Sequence, residues 1–106
     1  MAQEPSAAQQ ALGAFAPKLL QLTDDVLFGD VWERTELSTR DRCLATVAAL
    51  VALDRPGPVR FHLNKALENG LTPEELKEVI THLAFYAGWP CAMSAIHIAK
   101  EIFPQS

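Results

Sequence analysis

Apolar residues recur along this chain three to four positions apart, and no stretch joins β-branched residues to strict alternation. That property predicts an all-α protein. The clearest case is Leu76, Val79, Ile80, Leu83 and Ala84, which fall on one helix face. With 49% hydrophobic and 21% charged residues in 106 positions, the chain has material for a compact core and length for little more than one domain. A chain of this size buries roughly two-thirds of its unfolded surface, so association of copies would add useful stability.

Helix boundaries follow from capping chemistry. Residues 1–15, rich in Ala, Gln and Ser, are expected to form an arm, frayed or weakly helical, ahead of a helical domain over residues 16–106. Leu19, Leu20 and Leu22 lead into a short segment that Thr23 or Asp24 is placed to cap. Ser38-Thr39-Arg40-Asp41 puts a hydroxyl three residues before an acid, opening the apolar run from Cys43 to Leu53. That run is apolar around most of its circumference, which predicts a helix buried on all sides, either central or at a subunit interface. Asp54-Arg55-Pro56-Gly57-Pro58 reads as a turn, followed by a helix from about Pro58 to Asn69 that Gly70 ends. Thr72-Pro73-Glu74-Glu75 then supplies a cap, a proline at the first helical position and an acid at the third. This helix should reach Tyr86 or Ala87, Gly88-Trp89-Pro90 should break it, and Cys91 to Ile102 should form the last one.

Several function classes are disfavoured. The longest apolar run, Cys43 to Leu53, is much shorter than the ~20 residues a membrane span needs, so no membrane association is expected. The first residues carry an acid where a secretory signal carries Lys or Arg, which makes a cytoplasmic location the default. Nine basic against 13 acidic residues leave a net charge of −4 and no basic run, so nucleic acid is not an expected partner. Cys43 and Cys91 belong to no Cys-x-x-Cys pair, which speaks against a disulfide framework and against a bound metal.

Glu78, His82 and Tyr86 stand at spacing four and project from one helix face with about 40° of drift per step. A carboxylate beside an imidazole orients the ring and raises its basicity, and a phenol within reach can donate to an anion. The same spacing also describes a solvated face with an ordinary Glu–His pair. Arg60 and His62 sit near the start of the preceding helix and point to different faces. His62, between Phe61 and Leu63, and His97, between Ile96 and Ile98, each suit a structural or a catalytic part. Cys91 follows Pro90 at a helix N-terminus, where backbone N–H groups favour a thiolate, whereas Cys43 reads as an inert buried thiol.

The stretch from Arg60 through Ile80, with Asn64-Lys65-Ala66-Leu67-Glu68-Asn69-Gly70-Leu71-Thr72-Pro73-Glu74-Glu75 at its centre, resembles the middle of carboxymuconolactone decarboxylase family proteins. The likeness continues through His82, Tyr86-Ala87-Gly88-Trp89-Pro90 and Ala92, close to the family's Tyr-x-Gly-x-Pro-x-Ala pattern. Upstream, Phe28-Gly29-Asp30-Val31-Trp32 and the Arg40-x-Arg42 pair also look like the decarboxylase branch. The order and spacing of these motifs cover the chain from about Ala16 to Phe103.

The resemblance implies an alkylhydroperoxidase-D-like bundle of about six helices that assembles as a homo-oligomer, a trimer or a hexamer. It implies a decarboxylase of a small carboxylated lactone, 4-carboxymuconolactone or a relative, with no metal and no organic cofactor. On that reading His82 is the acid–base group, Glu78 orients it, Tyr86 donates to the developing anion and His62 is a secondary acid–base candidate. Arg40, Arg42 or Arg60 anchors a substrate carboxylate, and Trp89, Cys91 and His97 complete the substrate-binding set, Trp89 as an apolar wall. The peroxidase branch resembles Glu-x11-Cys-x2-Cys-x3-His. Glu78 and His97 match its ends, but Pro90 and Met93 occupy its cysteine positions. Its dithiol cycle therefore cannot run here, which leaves a thiol-dependent antioxidant protein using Cys91, or a non-catalytic ligand-binding oligomer, as the alternatives.

Overall fold

The computed structural model describes residues 6–104, so residues 1–5 of the expected arm and the last two residues of the expected domain lie outside the described residues. The described residues are helical, with six α-helices and no strand among them, in agreement with the all-α expectation. Backbone contacts gather into two units that divide after Ser38.

The N-terminal unit begins with α1 (Ala7–Leu12), opened by a reciprocal cap in which Ser6 Oγ accepts from the Gln9 N–H at 3.0 Å and Gln9 Oε1 accepts from the Ser6 N–H at 2.9 Å. Helix α2 (Pro17–Gln21) runs without a break into a wider π-helical turn, Leu22–Phe28, and a 3-10 turn follows at Val31–Glu33. No helix starts at Thr23 or Asp24, so the expected cap there does not form. Thr23 Oγ1 instead donates to the Leu19 carbonyl at 2.7 Å, and Asp24 accepts from Ser6 Oγ at 2.9 Å. The reason is continuity: each N–H at that point already lies inside a helix and needs no external acceptor. Gly29 closes the π-helical turn where a side chain has no room, and the rings of Phe28 and Trp32 meet beyond it at 5.8 Å. No described residue of this unit is buried within it.

In the second unit α3 (Thr39–Ala52) packs against α4 (Pro56–Glu68), α5 (Pro73–Leu83) and α6 (Trp89–Ile102). It is central, as its composition suggested, but it is not buried on every side. Cys43, Val47 and Val51 form a sealed stripe, while Ala45, Ala49 and Leu53 are exposed. Helices α4, α5 and α6 cover only the side of α3 on which they pack, so its other side stays open within a single chain. The core is completed by Val59, Leu63 and Ala66 of α4, Leu71, Leu76 and Ile80 around α5, and Ala92, Ala95, Ala99 and Phe103 from α6 onward.

Three boundaries differ from the sequence reading. Helix α4 starts at Pro56 rather than Pro58. Asp54 takes a left-handed φ of 56°, and the Arg55 N–H reaches the Leu50 carbonyl at 3.0 Å while the Asp54 N–H reaches that of Val51 at 3.1 Å. The chain thus reverses in one residue, and both prolines fall in the first turn of α4, where no N–H is missed. The same closure, with Gly70 at φ 99° and the Leu71 N–H on the Ala66 carbonyl at 3.0 Å, ends α4 as expected. Helix α5 stops at Leu83, short of Tyr86, because its ladder tightens: the Phe85 N–H bonds His82 O at 3.2 Å and the Tyr86 N–H bonds Leu83 O at 3.1 Å. Gly88, at φ 107°, then turns the chain into α6, which begins at Trp89, two residues before Cys91.

Candidate active site

The cap predicted at Thr72 is present in full: its Oγ1 accepts from the Glu75 N–H at 3.1 Å and Glu75 Oε1 accepts from the Thr72 N–H at 3.0 Å. This fixes the start of α5 and therefore the direction of every side chain after it. Leu76 and Ile80 turn into the core, and Glu75, Glu78, Val79, His82 and Leu83 are left on the side facing α3. From α3 come Arg40, Leu44 and Ala48, and Leu71 closes one end. These residues line an open cleft of about 510 Å³. Its wall is largely apolar, and its polar groups are one guanidinium, two carboxylates and one imidazole.

Arg40 ion-pairs with the Glu75 carboxylate and lies 3.7 Å from Asp41. The Glu75 carboxyl is held below the usual carboxylate range, first by the Thr72 N–H and then by the Arg40 guanidinium. Glu75 therefore stays anionic and keeps Arg40 over the cleft. A guanidinium carries five N–H donors, so one engaged with Glu75 retains donors for a second carboxylate. Glu78 and His82 lie one turn apart on the same helix, both exposed to the cleft's solvent. Tyr86 has left the helix but stays in touch: its ring stacks against His82 with centroids 4.7 Å apart and planes tilted by 34°.

The other predicted residues lie elsewhere. Arg42, two positions from Arg40, is half-buried and does not line this cleft. Arg60 ion-pairs with Glu101 across α4 and α6. His62 is half-buried on α4 against the edge of the Phe61 ring at 5.0 Å, and burial, then the nearby Lys65 charge, push its pKa down. Trp89 is largely exposed and meets Phe85 edge-on at 5.9 Å, above a small hollow lined by Ile80, Ala84, Ala92 and Met93. His97 lines a separate cleft. Cys91 is half-buried with its Sγ 3.9 Å from the Ala52 carbonyl, and Cys43 is sealed in the core, where burial pushes its thiol pKa up. Among the described residues, no three His, Cys, Asp or Glu side chains gather so as to hold a metal ion, and no helix is long and apolar enough to cross a membrane.

Glu75 escaped the sequence reading as a cleft residue because the capping pattern accounted for it completely. Its register carried the missing signal: Glu75, Glu78 and His82 are three and four apart and so share a face.

An all-helical unit with a basic and an acidic group facing each other over an apolar wall is suited to a small organic acid. A family model described as the carboxymuconolactone decarboxylase family matches residues 17–101. The chain belongs to that family. Over 76 residues it is 45% identical to the 4-carboxymuconolactone decarboxylase of Acinetobacter baylyi, a match covering 72% of this chain and 57% of that protein. Over 81 residues it is 27% identical to the nitrosuccinic acid decarboxylase of Metarhizium robertsii, covering 76% of this chain and 57% of that one. The chain thus spans a little over half the length of the curated relatives it matches.

Proposed function

We propose that this chain decarboxylates a small carboxylated lactone of the 4-carboxymuconolactone type in the cleft between α3 and α5. The observation that carries the reading is the convergence of Arg40, Glu78 and His82, from two helices, on one largely apolar cleft of a size for a small ligand. The kinship with proteins named as decarboxylases supports the reaction class. In such a reaction the bond to the departing carboxylate breaks, carbon dioxide leaves, and the electron pair moves into the conjugated carbonyl as an enolate. One proton then returns to carbon. Arg40 holds a carboxylate that must stay, through charge-assisted hydrogen bonds, while Glu75 keeps the guanidinium in position. His82 delivers the proton, Glu78 orients the imidazole, and the Tyr86 hydroxyl donates to the enolate oxygen. The apolar wall of Leu44, Ala48, Leu71 and Val79 favours departure of a charged group as neutral carbon dioxide.

A homo-oligomer, trimer or hexamer, belongs to the same proposal. Phe85, Tyr86, Trp89 and Met93 are 76%, 77%, 60% and 42% exposed around the α5–α6 corner. Covering them with a second copy would remove apolar surface from water and shield the His82 end of the cleft. Light scattering that returned one subunit mass at micromolar concentration would contradict this assembly.

The test of the reaction is an assay of the purified protein with 4-carboxymuconolactone, following carboxylate loss. A positioned acid–base group contributes roughly 10²–10⁴-fold, so His82→Ala should lower kcat by at least about a hundredfold. Arg40→Gln should chiefly raise KM, and Cys91→Ser should leave turnover nearly unchanged. Absence of turnover, or turnover indifferent to both His82→Ala and Arg40→Gln, would remove the reading.

A further inference from the structure

The two oxygens of the Glu75 carboxylate serve different partners. Oε1 accepts from the Thr72 N–H at 3.0 Å and so belongs to the cap of α5, whereas Oε2 accepts from Nη2 of Arg40, 35 positions earlier on α3. Thr72 closes the same cap from the other side, its Oγ1 accepting from the Glu75 N–H at 3.1 Å. Thr72 is fixed in turn: Leu71 before it is buried, with its N–H on the Ala66 carbonyl at 3.0 Å, and Pro73 after it opens the helix. Arg40 stands in the first turn of α3, where the helix dipole disfavours a cation, and its side chain is 40% exposed. Its place over the cleft therefore depends on the acids around it. Asp41, at 3.7 Å, is its neighbour in the chain, and Glu75 is the one that reaches it from across the cleft.

We propose that Thr72, which is not itself among the residues lining the cleft, is a positioning residue for substrate binding: it holds Glu75 in the conformation that presents Arg40 to a substrate carboxylate. The inference rests on the reading of the α3–α5 cleft as the substrate site. The physical link is the shared carboxylate. A glutamate side chain in solution samples several staggered rotamers at each of its bonds, and one tied both at Oε1 and at its own backbone N–H samples few. Glu75 thus meets Arg40 from a fixed origin. Without the Thr72 hydroxyl the Glu75 N–H loses its acceptor, the first turn of α5 opens more often, and Arg40 follows Glu75 out of place. A cap of this kind changes the ratio of formed to open first turn by roughly fivefold. Affinity scales with the fraction of chains in the competent state, so the loss in binding is bounded by that factor. Proton transfer is touched less, because His82 lies two turns further along α5 and its direction is set by Leu76 and Ile80 in the core.

The experiment measures the dissociation constant of succinate, an unreactive dicarboxylate, on the full chain from the His82 ring-proton signals in nuclear magnetic resonance, together with KM and kcat for 4-carboxymuconolactone. Thr72→Ala should weaken succinate and raise KM about two- to fivefold, with kcat moving less than KM. Thr72→Ser, which keeps the hydroxyl, should restore both. Glu75→Gln keeps an oxygen for the Thr72 N–H but loses the ion pair, so it should weaken succinate at least as much while retaining the native circular dichroism spectrum. Arg40→Gln should weaken succinate by at least about tenfold, and adding Thr72→Ala to it should bring no further loss. A Thr72→Ala loss of the same factor in both backgrounds would overturn the proposal, since Thr72 would then act without Arg40, and so would an effect confined to kcat or left unrepaired by serine. Succinate binding that depends on Arg40 but ignores Thr72→Ala would overturn it and leave the reading of the cleft intact. His82 signals indifferent to succinate in the unaltered chain would overturn both.

Discussion

Replacing Gly29 by alanine should weaken the N-terminal unit even though alanine is the better helix former. A Cβ built on Gly29 falls 2.8 Å from the carbonyl oxygen of Asp24, 2.8 Å from that of Asp25 and 3.2 Å from the Asp25 carbonyl carbon. Both carbonyls belong to the backbone of the π-helical turn, so no side-chain rotation can relieve the overlap. Retreat by about half an ångström of main chain is an overpacking event, with a typical cost of about 1–3 kcal/mol. Alanine in place of glycine returns up to about 1 kcal/mol in helical backbone, so the net loss should reach up to about 2 kcal/mol. Gly57→Ala is the matched control, since nothing lies within 4 Å of its Cβ position in the first turn of α4. It should stabilise by about 0.4–1 kcal/mol. Urea denaturation gives the global values, and amide hydrogen exchange across residues 22–33 reports on the N-terminal unit directly. If Gly29→Ala retained or raised protection there while Gly57→Ala stabilised as expected, the carbonyl overlap would have no energetic force.

Leu63 is 0% exposed at the centre of α4, and Leu63→Ala should cost about 2–5 kcal/mol in urea denaturation; a loss below 1 kcal/mol would mean that the site collapses around the gap. Asp54 holds a left-handed conformation at φ 56°, so Asp54→Gly should be neutral to stabilising, by up to about 1 kcal/mol, whereas Asp54→Val should destabilise. Stability should also fall in two acid windows. His62 has a lowered pKa in the fold, so the unfolded chain binds the extra proton as pH drops below about 6.5, and stability declines from there. Glu75 also has a lowered pKa, so its contribution is present above about pH 4.3 and disappears as pH falls through its folded value. Denaturation midpoints measured from pH 3 to 8 should lose the upper window in His62→Gln and the lower one in Glu75→Gln, and persistence of either slope would reject its assignment.

Local chemistry was read well where the reasons are local. The Thr72 cap, the Gly70 stop and the proline at the start of α5 all depend on backbone groups within a few residues of one another. Even the errors have this character. Asp54 in the left-handed role usually taken by glycine hid the true start of α4, and the tightened ladder after Leu83 carried Tyr86 off the helix while leaving it stacked on His82.

Periodicity, capping residues and motif order along the chain were enough to establish the helical class, the starts of α3 and α5, the family, and the placing of Glu78 and His82 on one face. Which of three arginines would face them could not be read that way. Arg40 is 35 positions from the Glu75 it pairs with, and Arg60 is 41 from the Glu101 that holds it. Those partners are chosen by how α3 packs on α5 and α4 on α6, and that packing is decided by the buried stripes of Val47, Leu63, Leu76 and Ala95 acting together. A side chain's face follows from its own helix, but its neighbour across a cleft follows from the joint packing of many residues that the linear order does not bring together.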